Sequence, residues 1–273
     1  MTVPQCAWSD VAPGWDRWRE TIEEGDAVLT QRLLAAAGPL AGRRVLELAS
    51  GNGELAARLA DEVGPEGSLV ASDEAEGMVT LVTTRLGGLA HTEVARIDAC
   101  AIAASDASYD VVVCRMGLML VPDPDLALAE IRRVLRPGGR LAAATWGEAS
   151  ANPWLASVGM VAMMQGVVQG GPPVGPGSPF SLADPDDLRT RAGAAGFAEV
   201  EVEVVETTRN YQDPREHFDM ISVMAPPLAV ALAAAPEKVA AVRAGVEALT
   251  ASYRTGSGGL EIPMRALVLR AVA

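Results

Sequence analysis

The stretch VLELASGNGELAARL, residues 45–59, decides the fold of this chain. Residues 45–48 form an apolar run typical of a buried strand, and residues 54–60 are strong helix formers, with Gly51 and Gly53 between them. Glycines at this point let the backbone turn with positive φ and let a ligand approach without meeting a Cβ atom. The stretch therefore predicts a ligand site where a strand ends and a helix begins, as in open α/β sheets.

The same alternation of strands and helices continues on both sides of this loop. A helix is predicted from the N-cap Asp123, with Pro124 at its first position, to a stop at Pro137-Gly138-Gly139. Apolar runs that would be buried on both faces, as in a parallel sheet, are found at 43–48, 68–72, 92–97, 109–114 and 139–146.

Two later runs, 198–208 and 260–272, alternate polar and apolar residues in period two. A helix that begins at Asp184-Pro185 and runs to Gly193 or Gly196 precedes the first of them. We expect a Rossmann-like α/β fold: an open twisted sheet of about seven strands, mostly parallel with an antiparallel last strand, with helices on both faces and helical lid insertions.

The length of 273 residues fits a single domain, 1–273, with a ligand-binding core at 43–146. Three segments do not follow the strand and helix rhythm of the core. Residues 1–40 are predicted to form an N-terminal helical lid, and 147–180 and 211–257 to form lid insertions over the strand ends. Four tryptophans in these segments are candidate substrate-binding residues: Trp8, Trp15, Trp18 and Trp154.

Charge and cysteine content narrow the classes of partner. The 22 Lys and Arg against 35 Asp and Glu give a net charge of -13, which repels phosphate backbones and argues against nucleic acid or an anionic membrane. Cys6, Cys100 and Cys114 lack metal-ligand spacing, and no metal motif is found. With no secretory signal pattern in the N-terminal residues, we expect a cytoplasmic protein. Its sequence is compatible with a homo-oligomer.

Two ligands compete for the glycine loop. Residues 51–56 fit the G-x-G-x-x-G/A fingerprint of a nicotinamide dinucleotide, and Asp73 lies where an acid that binds a ribose belongs. Glu47, however, ends the strand before the glycines, where its carboxylate would repel a pyrophosphate. S-adenosylmethionine instead carries a sulfonium and an ammonium, and a carboxylate about 4 Å from such a charge gains at most about 4 kcal/mol. Glu47 therefore favours S-adenosylmethionine.

At these residues the sequence resembles the class I S-adenosylmethionine-dependent methyltransferases, in the branch related to ubiquinone/menaquinone biosynthesis C-methyltransferases. The family motif acid-x-G-x-G-x-G is matched by Glu47, Ala49, Gly51 and Gly53, with alanine in place of the first glycine. The resemblance also covers 109–146, which contains the RPGG turn that is frequent in the family.

The resemblance implies a role for several residues. Asp73 would bind the ribose hydroxyls, Glu74 would lie beside them, and Met78 would pack near the adenine. Asp98 and Ala99 match the pair that holds the adenine. The implied cofactor-binding residues are Glu47, Ala49, Ser50, Gly51, Gly53, Asp73, Glu74, Met78, Asp98, Ala99, Arg115 and Met116, of which the last two would border the methionine end.

The residues by themselves leave simpler roles open. Glu47 could pair with Arg43 or Arg44, and Asp98 could cap a turn. Arg115 could be a surface charge, and Met78 could belong to an ordinary helix core.

The expected reaction moves a methyl group by in-line displacement to an O, N or C atom of a small, largely apolar metabolite, such as a secondary metabolite or a quinone-like ring. The protein would contribute mainly alignment of the reactants and exclusion of water. Should a base be needed, His217 in the second insertion is the candidate catalytic residue.

Two alternatives remain at this point. A nicotinamide-dependent reductase is favoured by the fingerprint at 51–56, although Lys238 lacks the tyrosine of a Tyr-x-x-x-Lys pair. A cyclase of the same fold could bind the cofactor without transferring its methyl group, because the fold does not determine the reaction.

Overall fold

A computed structural model describes residues 6–169 and 174–273. Within them the sheet strands are β1 (Arg44–Leu48), β2 (Ser68–Asp73), β3 (Thr92–Arg96), β4 (Tyr109–Arg115), β5 (Leu135–Trp146), β6 (Ala198–Tyr211) and β7 (Leu260–Val272). The helices are α1 (Cys6–Arg17), α2 (Arg19–Ala37), α3 (Glu54–Val63), α4 (Glu76–Leu86), α5 (Pro124–Val134), α6 (Pro153–Met164), α7 (Pro185–Ala194), α8 (Pro214–Met224), α9 (Pro226–Ala234) and α10 (Val239–Leu249).

The strands form one seven-stranded sheet in the order β3-β2-β1-β4-β5-β7-β6. Neighbouring strands pair in parallel from β3 to β5, whereas β7 is antiparallel to both β5 and β6. The fold predicted from the sequence, mostly parallel with an antiparallel last strand, is therefore confirmed. Because β1, β4 and β5 run in one direction, their carboxyl ends meet at one edge of the sheet, and β6 ends at the same edge.

The helices cover the sheet through apolar faces. On α2 the buried residues Ile22, Leu29, Leu33 and Ala37 recur at helical spacing and pack into the core beside β4, β5, β6 and β7. The strands β1 and β4 are buried along almost their whole length, as a parallel sheet covered on both faces requires.

A second group of helices lies over the carboxyl edge of the sheet. Helix α1 packs against α4, α8 and α9, and α6 packs against α8 and α10. Except for α4, which belongs to the core, these helices come from the three segments that the sequence predicts as lids, and the parts of those segments at 1–5 and 170–173 lie outside the described residues. Among the described helices none could by itself span a membrane; α8 and α9 together have sufficient length and hydropathy, with a bend of 99° between them.

Two element boundaries differ from those predicted. Helix α5 ends at Val134 rather than at Pro137-Gly138-Gly139, because Leu135 takes an extended conformation and pairs with Tyr109 of β4. Strand β5 thus includes the RPGG turn and carries a register shift there. Strand β6 extends to Tyr211, three residues beyond the predicted 208, and this extension brings Arg209 into the strand.

Candidate functional site

The glycine loop joins β1 to α3 through three residues with left-handed backbone. The φ angles are +55° at Ala49, +57° at Gly51 and +76° at Gly53. The two glycines have different tasks. A Cβ atom on Gly53 would lie 3.1 Å from the Val82 Cα atom of α4, so this glycine serves helix packing. Gly51 instead faces the open side of the loop, where ligand approach requires a small residue.

Asp73, at the end of β2, holds this loop in place. Its carboxylate accepts hydrogen bonds from the backbone N–H of Gly51, at 3.0 Å, and of Ala75, at 2.9 Å. Burial raises the pKa of Asp73, and the backbone hydrogen bonds oppose that rise. Because the Gly51 N–H already donates to a carboxylate, it is not available to a pyrophosphate. This contact weighs against a dinucleotide site.

Glu47, at the carboxyl end of β1, is fully buried. Its carboxylate accepts a hydrogen bond from Ser50 Oγ at 2.7 Å. Burial raises the pKa of Glu47 to about 7, against the lowering effects of the Ser50 hydrogen bond and of the Arg115 charge. The simpler reading of the sequence, a pair with Arg43 or Arg44, is therefore not the arrangement found.

Arg115 lies beside Glu47 with only 9% of its side chain exposed, rather than on the surface. Its Nη1 atom lies 2.6 Å from Glu54 Oε2 and donates to Thr30 Oγ1 at 2.6 Å. These contacts fix the guanidinium between α2 and α3. Met116, the next residue, has a φ angle of +60° and turns the chain away from β4.

A cavity of about 240 Å³ lies along the carboxyl edge of the sheet, between the glycine loop and the covering helices. Thirteen of the residues predicted from the sequence line it together: Trp8, Trp15, Glu47, Ala49, Ser50, Gly51, Asp73, Glu74, Met78, Ala99, Arg115, Met116 and Trp154. Glu47, Asp73 and Glu74 lie at the β1 and β2 end of this cavity, whereas tryptophans and other apolar side chains make up most of the remaining lining. Such a combination of apolar walls and a few convergent polar groups is typical of small-molecule sites.

Helix α1 closes the cavity over the glycine loop. The Trp15 indole lies 4.0 Å from the position of a Cβ atom on Gly51, and its Nε1 donates to the Met224 carbonyl of α8 at 3.0 Å. Trp8 contacts Trp15 edge to face, with ring centroids 6.4 Å apart. Two of the predicted substrate residues thus lie next to the predicted cofactor loop.

Four predicted residues do not line the cavity: Gly53, Trp18, Asp98 and His217. Asp98 caps a turn, because its Oδ1 accepts from the Cys100 N–H at 2.8 Å. Trp18 is partly buried against the core at the start of α2.

His217 is fully buried in α8 and hydrogen-bonds through Nε2 to the Trp154 carbonyl. Burial lowers its pKa to about 4. At neutral pH the ring is therefore uncharged, and its contacts favour a role in positioning Trp154 over one as a base. The assignment as catalytic base stays a prediction.

Sequence reasoning missed Asp26 and Arg209, two buried charged residues that line the cavity. A signal was present, because Asp26 falls four residues after Ile22 on the apolar face of α2. Arg209 lies just beyond the predicted end of β6 at 208, in the part of the strand that reaches Tyr211. Trp146 at the end of β5, also missed, lines the cavity and contacts Trp154 edge to face with centroids 5.0 Å apart.

This arrangement, with acids at the ends of β1 and β2 and a glycine loop between them, defines a nucleoside-binding site of a Rossmann-like enzyme. The family described as "Methyltransferase domain" matches residues 45–139. The chain is also 35% identical, over 135 residues, to the ubiquinone/menaquinone biosynthesis C-methyltransferase UbiE of Teredinibacter turnerae, with 48% of this chain and 54% of that protein covered.

A UbiE sequence of Ectopseudomonas oleovorans is 35% identical over 134 residues, which cover 48% of this chain and 79% of that sequence. Among solved structures, the YcgJ protein of Bacillus subtilis matches with a TM-score of 0.60 at 14% identity, over 92% of this chain and 98% of that one, and so supports the fold. The chain belongs to the class I S-adenosylmethionine-dependent methyltransferases, in the branch related to ubiquinone/menaquinone biosynthesis C-methyltransferases. It spans about half the length of other curated relatives that it matches, such as the UbiE of Teredinibacter turnerae.

Proposed function

We propose that the protein transfers a methyl group from S-adenosylmethionine to a small, largely apolar acceptor. The observation that carries this proposal is the position of two carboxyls, the buried Glu47 and the partly buried Asp73, on either side of a glycine loop at one end of a mostly apolar cavity. A cationic nucleoside with hydroxyl donors fits these two acceptor groups, whereas a pyrophosphate would meet two acids and a loop N–H that already donates to Asp73.

The residues present suit each part of that cofactor. Asp73 keeps acceptor capacity for ribose hydroxyls, because a carboxylate can accept about four hydrogen bonds and the backbone N–H groups of Gly51, Glu74 and Ala75 use only part of that capacity. Glu47 would face the cationic methionine part, and Met78 and Ala99 would pack against the base. The cofactor would supply an electrophilic methyl group on a positively charged sulfur. Everything else required of the site is binding, orientation and exclusion of water.

The chain supplies that environment with its covering helices. Trp8 and Trp15 from α1, Trp154 from α6 and Met224 from α8 line the cavity with the glycine loop. Alignment of two reactants in such a site can contribute roughly 7 to 11 kcal/mol to the acceleration of a displacement. The apolar walls would favour an acceptor with a ring or hydrocarbon skeleton.

The acceptor is proposed from the character of the cavity and from the names of the relatives. One relative is named demethylmenaquinone methyltransferase, and others are named for ubiquinone and menaquinone biosynthesis. We therefore infer that hydroxylated naphthoquinone-like rings, which keep a ring carbonyl, are suitable first acceptors for an activity assay, with release of S-adenosylhomocysteine as the readout.

Thermal unfolding with candidate cofactors tests the proposal. At a concentration 100 times its Kd, S-adenosylhomocysteine should stabilise the protein by about 2.7 kcal/mol, which corresponds to a rise in Tm of roughly 5 to 10 °C. D73N should weaken binding at least about tenfold, and D61A, a change of an exposed acid on α3, should not. Stabilisation by NADPH without stabilisation by S-adenosylhomocysteine would overturn the proposal in favour of a reductase.

A further inference from the structure

The charged pair Asp26 and Arg209 forms a second polar group in the cavity, separate from the carboxyls at the glycine loop. Arg209 is 2% exposed and Asp26 is 5% exposed. The Arg209 Nη2 atom donates to Asp26 Oδ1, and the guanidinium lies over the Trp154 ring, 4.4 Å from its centroid. A Cβ atom on Gly25 would lie 2.9 Å from Arg209 Nη1, so a glycine leaves room for this guanidinium.

The pair lies in the part of the cavity that a nucleoside at the β1 and β2 end would leave free for an acceptor. Arg209 lies near the carboxyl end of β6, five strands along the sheet from Asp73 on β2, or roughly 24 Å at the usual strand spacing. The nearby cavity walls are apolar, with Ile22, Trp146, Trp154 and Ile221. The pair is thus the polar feature of the part of the described cavity farthest from the nucleoside end.

Stability alone gives little reason to keep this pair. Replacement of a buried ion pair by apolar residues of similar volume is often neutral or stabilising, because burial of two charges is costly. Here the Nε atom of Arg209 is also buried with no hydrogen-bond partner among the described residues. A buried donor left without a partner, on a side chain that lines a cavity, indicates a ligand atom that accepts from it.

We propose that Arg209, held and neutralised by Asp26, binds a carbonyl oxygen of the methyl acceptor, an otherwise apolar molecule; this inference rests on the proposed function. The free Arg209 donor would hydrogen-bond the carbonyl oxygen. Asp26 neutralises the guanidinium and would repel a carboxylate, so the pair selects an uncharged oxygen over an anionic one. The Trp154 ring covers one face of the guanidinium, which leaves its edge for the ligand.

Matched ligands on the protein saturated with S-adenosylhomocysteine test this inference. The probes are 1-tetralone and tetralin, which share a ring skeleton and differ in one carbonyl oxygen, and 1-naphthoate as the anionic arm. Their Kd values are measured by ligand-observed NMR titration. Wild-type protein should bind 1-tetralone about 10- to 100-fold more tightly than tetralin, as expected for a hydrogen bond from a charged donor. It should bind 1-naphthoate more weakly than 1-tetralone.

The double variant D26L/R209M replaces the pair by apolar side chains and should reduce the preference for 1-tetralone to less than about threefold. The matched control is D219L/R243M. It removes another arginine, Arg243, which lies over the Phe218 ring at 4.8 Å and pairs with Asp219 at 2.7 Å. Neither Arg243 nor Asp219 lines the cavity. This control should retain the wild-type preference.

The outcomes separate this inference from the proposed function. Absence of S-adenosylhomocysteine binding by the wild type contradicts the proposed function. Binding of S-adenosylhomocysteine without a preference of the wild type for 1-tetralone, whether both probes bind equally or neither binds, overturns only the role of Asp26 and Arg209. Tighter binding of 1-naphthoate than of 1-tetralone, or equal loss of preference in both double variants, also overturns it. Should D26L/R209M fail to fold, R209K, which retains a charge and lacks the Nε donor, must lose most of the preference.

Discussion

At the residue scale, Glu47 shows how burial moves the titration of a carboxyl to neutral pH. Its pKa is about 7 in the folded protein and near 4.5 in an exposed carboxyl. As the pH rises from 4.5 to 7, the unfolded chain loses this proton while the folded protein keeps it. The free energy of unfolding therefore falls with pH by about 3 kcal/mol from this group.

E47Q should remove that fall. We expect the difference in unfolding free energy between E47Q and wild type to grow by about 3 kcal/mol, in favour of E47Q, between pH 4.5 and pH 8. Urea unfolding at a series of pH values measures it. S50A offers a check, because loss of the Ser50 hydrogen bond should raise the pKa of Glu47 further and move the transition to higher pH. Parallel stability curves for E47Q and wild type would contradict this account.

Ala49 illustrates a departure from the family motif that the structure accommodates locally. Its side chain stands where the motif has glycine, with a φ angle of +55°. A Cβ atom on Gly117 would lie only 2.3 Å from the Ala49 Cβ and 3.0 Å from Cys114 Sγ. The methyl group that replaces a glycine at one position therefore requires a glycine at the other.

This coupling predicts the result of a double-mutant cycle. G117A alone should destabilise the protein by about 1 to 3 kcal/mol through overpacking. The pair A49G/G117A should recover at least about 1 kcal/mol of that loss, because the two Cβ atoms no longer compete. Chemical denaturation of the four proteins gives the coupling energy. Additive effects of the two changes would show that Ala49 and Gly117 are not linked in this way.

At the scale of elements, the strands were predictable because each buried strand consists of a run of apolar residues bounded by turn residues. Six strands agree with their predicted bounds within one residue at their carboxyl ends, and the boundary of α5 and β5 was wrong by several residues. The reason is physical. The RPGG turn signals a break correctly, but whether Leu135 continues the helix or pairs with Tyr109 depends on a neighbouring strand.

Helix α1 offers a test of how an element closes the site. It packs closely on α4, since a Cβ atom on Gly77 would lie 2.8 Å from the Ser9 carbonyl oxygen, and Ser9 Oγ accepts from the Gly77 N–H at 3.1 Å. G77A should displace α1 and weaken S-adenosylhomocysteine binding about tenfold or more, while the core remains folded.

The matched control for G77A is G159A on α6, where a new Cβ atom would meet nothing within 4 Å. Calorimetry gives the cofactor affinity, and acrylamide quenching reports the exposure of Trp8 and Trp15. Equal affinity in G77A and G159A would mean that α1 does not contribute to cofactor binding.

At the scale of the whole molecule, the predictable part of the site consists of residues that directly follow buried strands in the sequence. The glycine loop, Asp73 and the residues after β4 follow strand ends in a parallel sheet, so their meeting could be inferred before the structure. Asp26 and Arg209 are 183 residues apart, on a helix and on an edge strand. Nothing local in either segment specifies the partner, and only the packing of α2 across β6 and β7 unites them.

This long-range pair joins the N-terminal helices to the last strands of the sheet, and its contribution to stability should be strongly non-additive. R209M alone should destabilise the protein by about 3 to 5 kcal/mol, because it leaves the buried Asp26 carboxylate without a counter-charge. The double variant D26L/R209M should regain most of that stability. R243M, which breaks a partly exposed pair, should cost less than about 1 kcal/mol of unfolding free energy.

Urea unfolding at neutral pH compares wild type with four variants: R209M, D26L, D26L/R209M and R243M. A double variant that is as unstable as the sum of its single changes would show that the two side chains stabilise the fold independently, and a loss in R243M equal to that in R209M would remove the distinction between the cavity pair and a surface pair.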